Sequence, residues 1–135
     1  MYAPVLEIDT RKVAENARRL HTFCGERGVE LAFVTKGFSA RPEVIRAAME
    51  GGITSFADSR MKNIISAKKA IPGLKYLLIR VPAPDEAEEV VRWADWSLQS
   101  QIEVIRAVSD AALRQGKVHP IILMIDVGDL REGVF

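Results

Sequence analysis

The feature that most constrains the fold is a unit of one short apolar run and one amphipathic helix, which recurs along all 135 residues. Apolar runs of this length predict strands. Gly and Pro residues separate them from segments whose apolar residues recur every three or four positions, as in helices. Five strands are predicted in this way, and they begin near Leu31, Ile53, Lys75, Trp96 and Pro120. Helices between successive strands indicate an α/β fold with parallel strands and right-handed crossovers.

This period fits either a (β/α) barrel or a doubly wound sheet. No Gly-x-Gly-x-x-Gly follows any predicted strand, which disfavours a dinucleotide-binding sheet. We therefore expect a partial (β/α)8 TIM-type barrel with about five parallel strands over residues 1–135. Because a closed barrel needs eight strands, the chain is expected to be a truncated N-terminal portion. The alternative is that a partner, such as a second copy in a homodimer, covers its open edge.

The pattern also predicts which side chains face inward. The run 31–35 (LAFVT) is continuous, with four apolar residues and no charge, which is typical of a strand covered on both faces. Helical spacing places Leu20, Met49 and Ile102 on inward faces. The segment Ser100-Gln-Ile-Glu103 fits a capping box at the start of the last helix.

Composition narrows the partners and the compartment. Lys and Arg (19) nearly balance Asp and Glu (18), so no basic field attracts nucleic acid. No apolar run approaches the roughly 18 residues that a membrane span requires. The single cysteine, Cys24, cannot form an internal disulfide, and a reducing, cytoplasmic location is expected.

Active-site groups in parallel βα folds stand at the carboxyl ends of the strands. Lys36 directly follows the first predicted strand, at the expected barrel mouth. Partial desolvation there would lower its pKa and supply the neutral amine that Schiff-base formation with an aldehyde cofactor requires. The alternative is a strand-end lysine that extends its ammonium into solvent. Position alone leaves both interpretations open.

Arg80 and Arg131 are candidates for binding a carboxylate or phosphate, because a guanidinium donates two parallel hydrogen bonds. A structural ion pair is the alternative for each. Arg80 lies in an apolar run and needs an acidic partner, for which Asp126 is the candidate. Asp126 and Asp129 have no nearby His or third acid, so no metal site is expected.

Four segments together resemble a known family. Strand-terminal Val34-Thr35-Lys36-Gly37 is similar to the cofactor-lysine segment of the alanine racemase N-terminal-domain family, the fold-type III enzymes that use pyridoxal 5′-phosphate (PLP). Three further segments resemble the branch that includes ornithine racemase: Phe56-Ala-Asp-Ser-Arg60 with Asn63, Leu78-Ile-Arg80-Val-Pro82, and 124–133 (MIDVGDLREG).

The resemblance implies a PLP-dependent amino-acid racemase, an isomerase, with a basic amino acid such as ornithine, or alanine, as substrate. Lys36 would be the Schiff-base lysine and the base at Cα, and Arg131 would orient the substrate. Lys36, Arg60, Arg80 and Asp126 would form the cofactor-binding set.

The sequence also departs from the family pattern. In alanine racemase the opposite-face base is a tyrosine on a C-terminal domain, and the phosphate loops come late in the barrel. Neither has a counterpart here, and Phe38-Ser39 replaces an aromatic-glycine element. These 135 residues alone are therefore expected to have little or no racemase activity.

Three rival functions remain. A non-catalytic PLP-binding homeostasis protein of the same superfamily has a Gly-Glu-Asn type motif where this chain has Ala57-Asp58-Ser59. A PLP-dependent aldolase usually recruits a metal, for which this chain offers no cluster. A half-barrel interaction domain would use its open edges to dimerise.

Overall fold

The computed structural model describes residues 4–135. Within those residues, five α-helices and five strands alternate along the chain. The helices are α1 (Thr10–Gly25), α2 (Pro42–Glu50), α3 (Met61–Ala70), α4 (Ala87–Trp93) and α5 (Ile102–Arg114). The strands are β1 (Ala32–Val34), β2 (Ser55–Asp58), β3 (Lys75–Leu78), β4 (Trp96–Gln99) and β5 (Ile121–Leu123). Short 3-10 turns follow β1 at Lys36–Phe38 and precede α4 at Pro84–Glu86.

The five strands form one sheet in the order β1-β2-β3-β4-β5. Every neighbouring pair is parallel. Strands that are consecutive in sequence are therefore also adjacent in space, as in the wall of a (β/α) barrel rather than in a doubly wound sheet, whose order reverses. The parallel order and the alternation expected from the repeating unit are confirmed.

The helices cover one face of this sheet, which we call the covered face. Register pairs Phe56 with Tyr76, and both side chains are at most 1% exposed. Leu78 on the same face is also fully buried, and all three pack with Ile45 and Ile64 from the helices. Because side chains alternate along a strand, every second residue of β2 and β3 enters this core.

The opposite side is the open face. Its residues include Val34 on β1 and Ile122 on β5, which are 45% and 47% exposed. The expectation that residues 31–35 are covered on both faces is therefore wrong for the described chain. The physical reason is that all five helices pack on one side, whereas a closed barrel would fill the other side with residues from its remaining strands.

Three helix residues predicted to face inward are exposed in the structure. Leu20, Met49 and Ile102 are 54%, 42% and 53% exposed, so their inward placement is wrong. Small residues make the α1–α2 contact instead. A Cβ on Gly51 would lie 2.5 Å from the Cβ of Ala17, so only glycine allows this approach. The capping box is also not formed, because the residue that caps α5 is Gln101 and it makes no side-chain bond.

Candidate active site at the carboxyl edge of the sheet

Lys36 lies in a tight turn, residues 35–40, that we call the Lys36 turn. The amide of Thr35 donates to the carbonyl of Ala57 on β2 (2.8 Å), and the amide of Ala40 donates to the carbonyl of Thr35 (3.1 Å). Thr35 and Ala40 are at most 2% exposed, while Lys36 itself is exposed. The turn is thus fixed at both ends and presents its lysine to solvent. The desolvation expected at a closed barrel mouth is not provided by these five strands.

The backbone of the Lys36 turn is strained. Ser39 and Ala40 have φ values of 55° and 51°, in the left-handed region that side chains with a Cβ rarely adopt. Each such residue costs on the order of 1 kcal/mol or more, so packing and hydrogen bonds elsewhere must hold it. Strain of this kind often accompanies a functional site, where a side chain is presented in one fixed orientation.

Behind the turn, the carboxylate of Asp58 joins several elements, and we call this arrangement the Asp58 bracket. It accepts hydrogen bonds from the Thr35 hydroxyl (2.7 Å), the Arg60 amide (2.8 Å) and the Asn63 side-chain amide (3.1 and 3.2 Å). Its own backbone carbonyl accepts from the amide of Ile79 (3.1 Å). Asp58 is completely buried, and it connects the ends of β1, β2 and β3 to the start of α3.

The hydroxyl of Tyr76 extends this network, since it donates to the Thr35 hydroxyl oxygen at 3.4 Å. Burial raises the pKa of Tyr76 to about 12; the Thr35 hydrogen bond lowers it and the charge of Asp58 raises it. The phenol therefore remains protonated at neutral pH and acts as a hydrogen-bond donor. No sequence motif had indicated this residue.

Arg80 lies at the same edge of the sheet, but its acidic partner is not Asp126. Its guanidinium forms a two-pronged pair with Glu86 (2.5 and 2.7 Å), and its Nε donates to the carbonyl of Ser59 (2.7 Å). The hydrogen bonds from Arg80 hold the pKa of Glu86 below its usual value, although burial opposes the effect. The proposed Arg80–Asp126 pair is wrong. Glu86, six residues further along, was near enough in sequence to be a candidate.

The remaining predicted site residues occupy exposed loops. Arg60 is exposed between β2 and α3. Asp126 closes a loop, because its carboxylate accepts from the amides of Gly128 and Leu130 (2.7 and 3.3 Å). The Arg131 side chain is 76% exposed and lies 3.8 Å from Glu132. The structure thus brings together Lys36, Asp58 and Asn63 through Thr35. The side chain of Asp126 makes contacts only within its own loop, whereas Arg80 joins Glu86 to the β2–α3 loop at Ser59.

Features at the amino end of the sheet are separate from Lys36. A cavity of about 920 Å³ is lined there by residues that include His21, Ser55, Lys75 and Trp96. His119, just before β5, lies 3.0 Å from the Ser97 hydroxyl, and burial lowers its pKa.

Two further absences concern only residues 4–135. In that part of the chain, no group of three His, Cys, Asp or Glu side chains is arranged to hold a metal ion. None of its helices is long and apolar enough to cross a membrane.

Comparison with known proteins places these features in a family. The family model for the alanine racemase N-terminal domain matches residues 8–135. The chain belongs to this family. Its resemblance to that family, inferred from the strand-end motifs, is confirmed.

Two curated relatives extend the match over nearly the whole chain. Ornithine racemase from Acetoanaerobium sticklandii is 36% identical over 132 residues, which are 98% of this chain and 37% of that protein. Lysine racemase from Thermotoga maritima is 34% identical over 135 residues, which are 100% of this chain and 38% of that protein. The chain thus spans less than two fifths of the length of these relatives.

Solved structures confirm the fold. Alanine racemase from Streptomyces coelicolor A3(2) superposes with a TM-score of 0.82 at 21% identity over 95% of this chain and 35% of that chain. PipY from Synechococcus elongatus PCC7942, solved with PLP bound, gives 0.77 at 21% identity over 91% of this chain and 58% of that chain. The chain of this racemase-family member is therefore a partial (β/α)8 barrel.

Proposed function

We propose that this chain is the cofactor-lysine portion of a PLP-dependent amino-acid racemase, with Lys36 as the residue that binds the cofactor covalently. The observation that carries the proposal is an exposed primary amine at the carboxyl end of β1, on a turn held rigid at both ends. An aldehyde cofactor requires an accessible amine in a defined place. The residues present fit that requirement.

PLP, when bound, supplies the stabilisation of the carbanion at the substrate Cα. The chain's own contribution would be to hold the cofactor at Lys36 and to move the Cα proton with the Lys36 amine. Arg60, exposed just beyond β2, would bind an anionic group at this edge, and Arg131 would orient the substrate carboxylate. Arg80 and Asp126 would act on the cofactor only through the loops that they hold.

We propose an amino acid with a basic side chain as the substrate of the whole enzyme. Support comes from the two relatives that match over nearly the entire chain, which are named for ornithine and lysine. Racemisation requires proton transfer on both faces of Cα. Among residues 4–135, the structure identifies no second base opposite Lys36. We therefore expect the isolated chain to have little or no racemase activity.

The test is to incubate the chain with PLP, reduce with borohydride and locate the pyridoxyl group by peptide mass mapping. We expect label at Lys36 and its loss in Lys36→Ala. The matched control is Lys62→Ala, which removes another exposed lysine from the start of α3 and should leave the label unchanged. Label spread evenly over surface lysines, with no dependence on Lys36, would contradict the proposal.

A second candidate is a non-catalytic PLP-binding protein. The observation that favours it is the fold likeness to PipY, which was solved with PLP bound (TM-score 0.77). Both candidates require PLP at Lys36, so amino-acid racemisation by a chain that includes the remaining barrel distinguishes them. Failure of such a chain to racemise ornithine, lysine or alanine would favour the non-catalytic protein.

We also propose that the isolated chain forms a homodimer through its open sheet edge. Ile121, Ile122 and Leu123 on β5 are 38–48% exposed, and an apolar edge strand readily pairs with another chain. Light scattering over a range of concentrations should show the dimer, and a monomeric mass throughout would exclude it. The cytoplasmic location stays a prediction.

A further inference from the structure

The Asp58 bracket lies directly behind the lysine but is not explained by the proposed attachment of PLP. Asp58 is a completely buried carboxylate, and the donors that its side chain meets are a hydroxyl and two amides. Burying a carboxylate costs free energy unless hydrogen bonds compensate for its lost hydration, and here the compensating donors come from different elements of the fold. The reason for a carboxylate at this position lies in which elements those donors belong to.

The geometry points to that reason. Of the side chains that donate to Asp58, Asn63 belongs to α3, whereas Thr35 is the residue immediately before Lys36. The Thr35 hydroxyl is the side-chain link between the Lys36 turn and the rest of the bracket, and it lies 2.7 Å from Asp58 Oδ2. The Ser39 and Ala40 backbone is strained in the same turn, so a restraint is needed to keep it in place.

We propose that Asp58 is a positioning residue for Lys36, acting through the Thr35 hydroxyl to hold the Lys36 turn in its strained conformation. The carboxylate accepts from Thr35 and Asn63 at Oδ2 and from Asn63 and the Arg60 amide at Oδ1. It thereby fixes the turn to the start of α3 rather than to a flexible loop. The direction in which Lys36 meets an aldehyde carbon is then set by a buried hydrogen bond. This inference rests on the proposed role of Lys36, although the restraint on the turn is testable without any cofactor.

The variants separate positioning from general stability. Thr35→Val removes the hydroxyl at nearly constant volume and breaks the link to the turn. Thr35→Ser keeps a hydroxyl at this position and should retain the link between Asp58 and the Lys36 turn. Asn63→Ala is the matched control: it removes a donor from the same carboxylate, while the Arg60 amide still holds Asp58 at the start of α3 and the Thr35 hydroxyl still joins it to the Lys36 turn.

The cofactor-free readout is amide hydrogen exchange in the 135-residue chain. The Ala40 amide, which donates within the turn, is compared with the Ala94 amide, which donates to Val90 in α4. We expect Thr35→Val to lower the protection of Ala40 roughly tenfold relative to Ala94, as loss of a hydrogen bond to a charged acceptor predicts. Thr35→Ser and Asn63→Ala should change this ratio less than threefold.

The second readout is the initial rate of PLP attachment at Lys36 relative to Lys62, measured by borohydride trapping. We expect Thr35→Val to lower this ratio several-fold and Thr35→Ser to restore it. An unchanged Ala40 protection in Thr35→Val, or an equal loss in Asn63→Ala, would overturn the positioning role. If the wild-type chain does not trap PLP at Lys36 but Ala40 responds as expected, the proposed function fails while the restraint on the turn remains.

Discussion

The covered face and the open face are built by the same strands, yet they differ in burial and in the elements that contact them. Residues that alternate along β3 illustrate this, since Leu78 is fully buried among helix side chains and its neighbour Leu77 is half-buried. The covered face also holds the Asp58 bracket, whereas the open face leaves Val34 45% exposed. Strand sequence therefore does not determine burial by itself; the elements that pack against each face do.

The largest expected effect is on the free energy of unfolding, and it tests the difference in burial between the two faces directly. Leu78→Ala should destabilise the chain by about 2–5 kcal/mol, because it leaves a cavity in the covered core. Leu77→Ala, one residue away on the open face, should cost about 1 kcal/mol, because less surface is removed from water on folding. Urea unfolding monitored by circular dichroism measures both. Equal losses would show that the open face is covered in solution, for example in a dimer.

A second pair of variants compares a glycine packed between two helices with a glycine of the Lys36 turn that has free space beside it. Gly51→Ala should cost about 1–3 kcal/mol, since its Cβ would lie 2.5 Å from Ala17 Cβ and 2.6 Å from the backbone oxygen of Ala14. Gly37→Ala, next to Lys36, meets nothing within 4 Å and should be neutral or stabilising by less than about 1 kcal/mol. Thermal unfolding distinguishes them, and a destabilising Gly37→Ala would mean that the Lys36 turn is packed in solution.

The strain in the Lys36 turn predicts a gain of stability. Ser39 has φ 55°, so Ser39→Gly should stabilise the chain by up to about 1 kcal/mol. The matched control is Ser109→Gly in the middle of α5, where the same change should destabilise by about 0.5–1 kcal/mol. Denaturant midpoints of the two variants should move in opposite directions. A loss in both would indicate that the turn is not left-handed at Ser39.

The smallest expected effect is the pH dependence of the stability that the Arg80–Glu86 pair contributes. Arg80 lowers the pKa of Glu86 in the folded chain, so this pair stabilises the fold above the unfolded-state pKa of Glu86. The contribution is lost as pH falls through the lower, folded-state pKa. Because both side chains are about one-third exposed, Glu86→Gln should cost at most about 1 kcal/mol at pH 7 and nothing near pH 2. Urea unfolding at both pH values measures this, with Glu89→Gln on the exposed side of α4 as the matched variant. An equal loss for Glu86→Gln at both pH values would exclude the ion pair as its cause.

Much of the fold could be predicted from the sequence because its signals are local. Apolar runs and helical spacing depend on residues within one element, and the parallel order follows from the helices between strands. Lys36 was found by the same logic, as the first charged residue beyond an apolar run. Exposed Leu20 and Ile102 show where this logic fails, since apolar periodicity identifies a helix face but not whether another element covers it.

The site beyond Lys36 could be predicted only in part. The Asp58 bracket depends on β1–β2 register, which brings Thr35 and Asp58 together across 23 positions. Arg80 was recognised as needing an acidic partner, but Glu86 meets it because a 3-10 turn precedes α4. Contacts of this kind are set by loop geometry, which no periodicity encodes.

The sequence by itself determined a repeating βα unit, five parallel strands, a lysine at the end of the first strand, and a family resemblance carried by four strand-end motifs. Only the tertiary structure decided that the helices cover a single face, that Asp58 joins the Lys36 turn to α3, and that Arg80 is engaged by Glu86. The physical reason is the separation in sequence between the residues that interact. Strands and helices arise from neighbouring residues, whereas burial and hydrogen-bond partners depend on side chains brought together from distant positions.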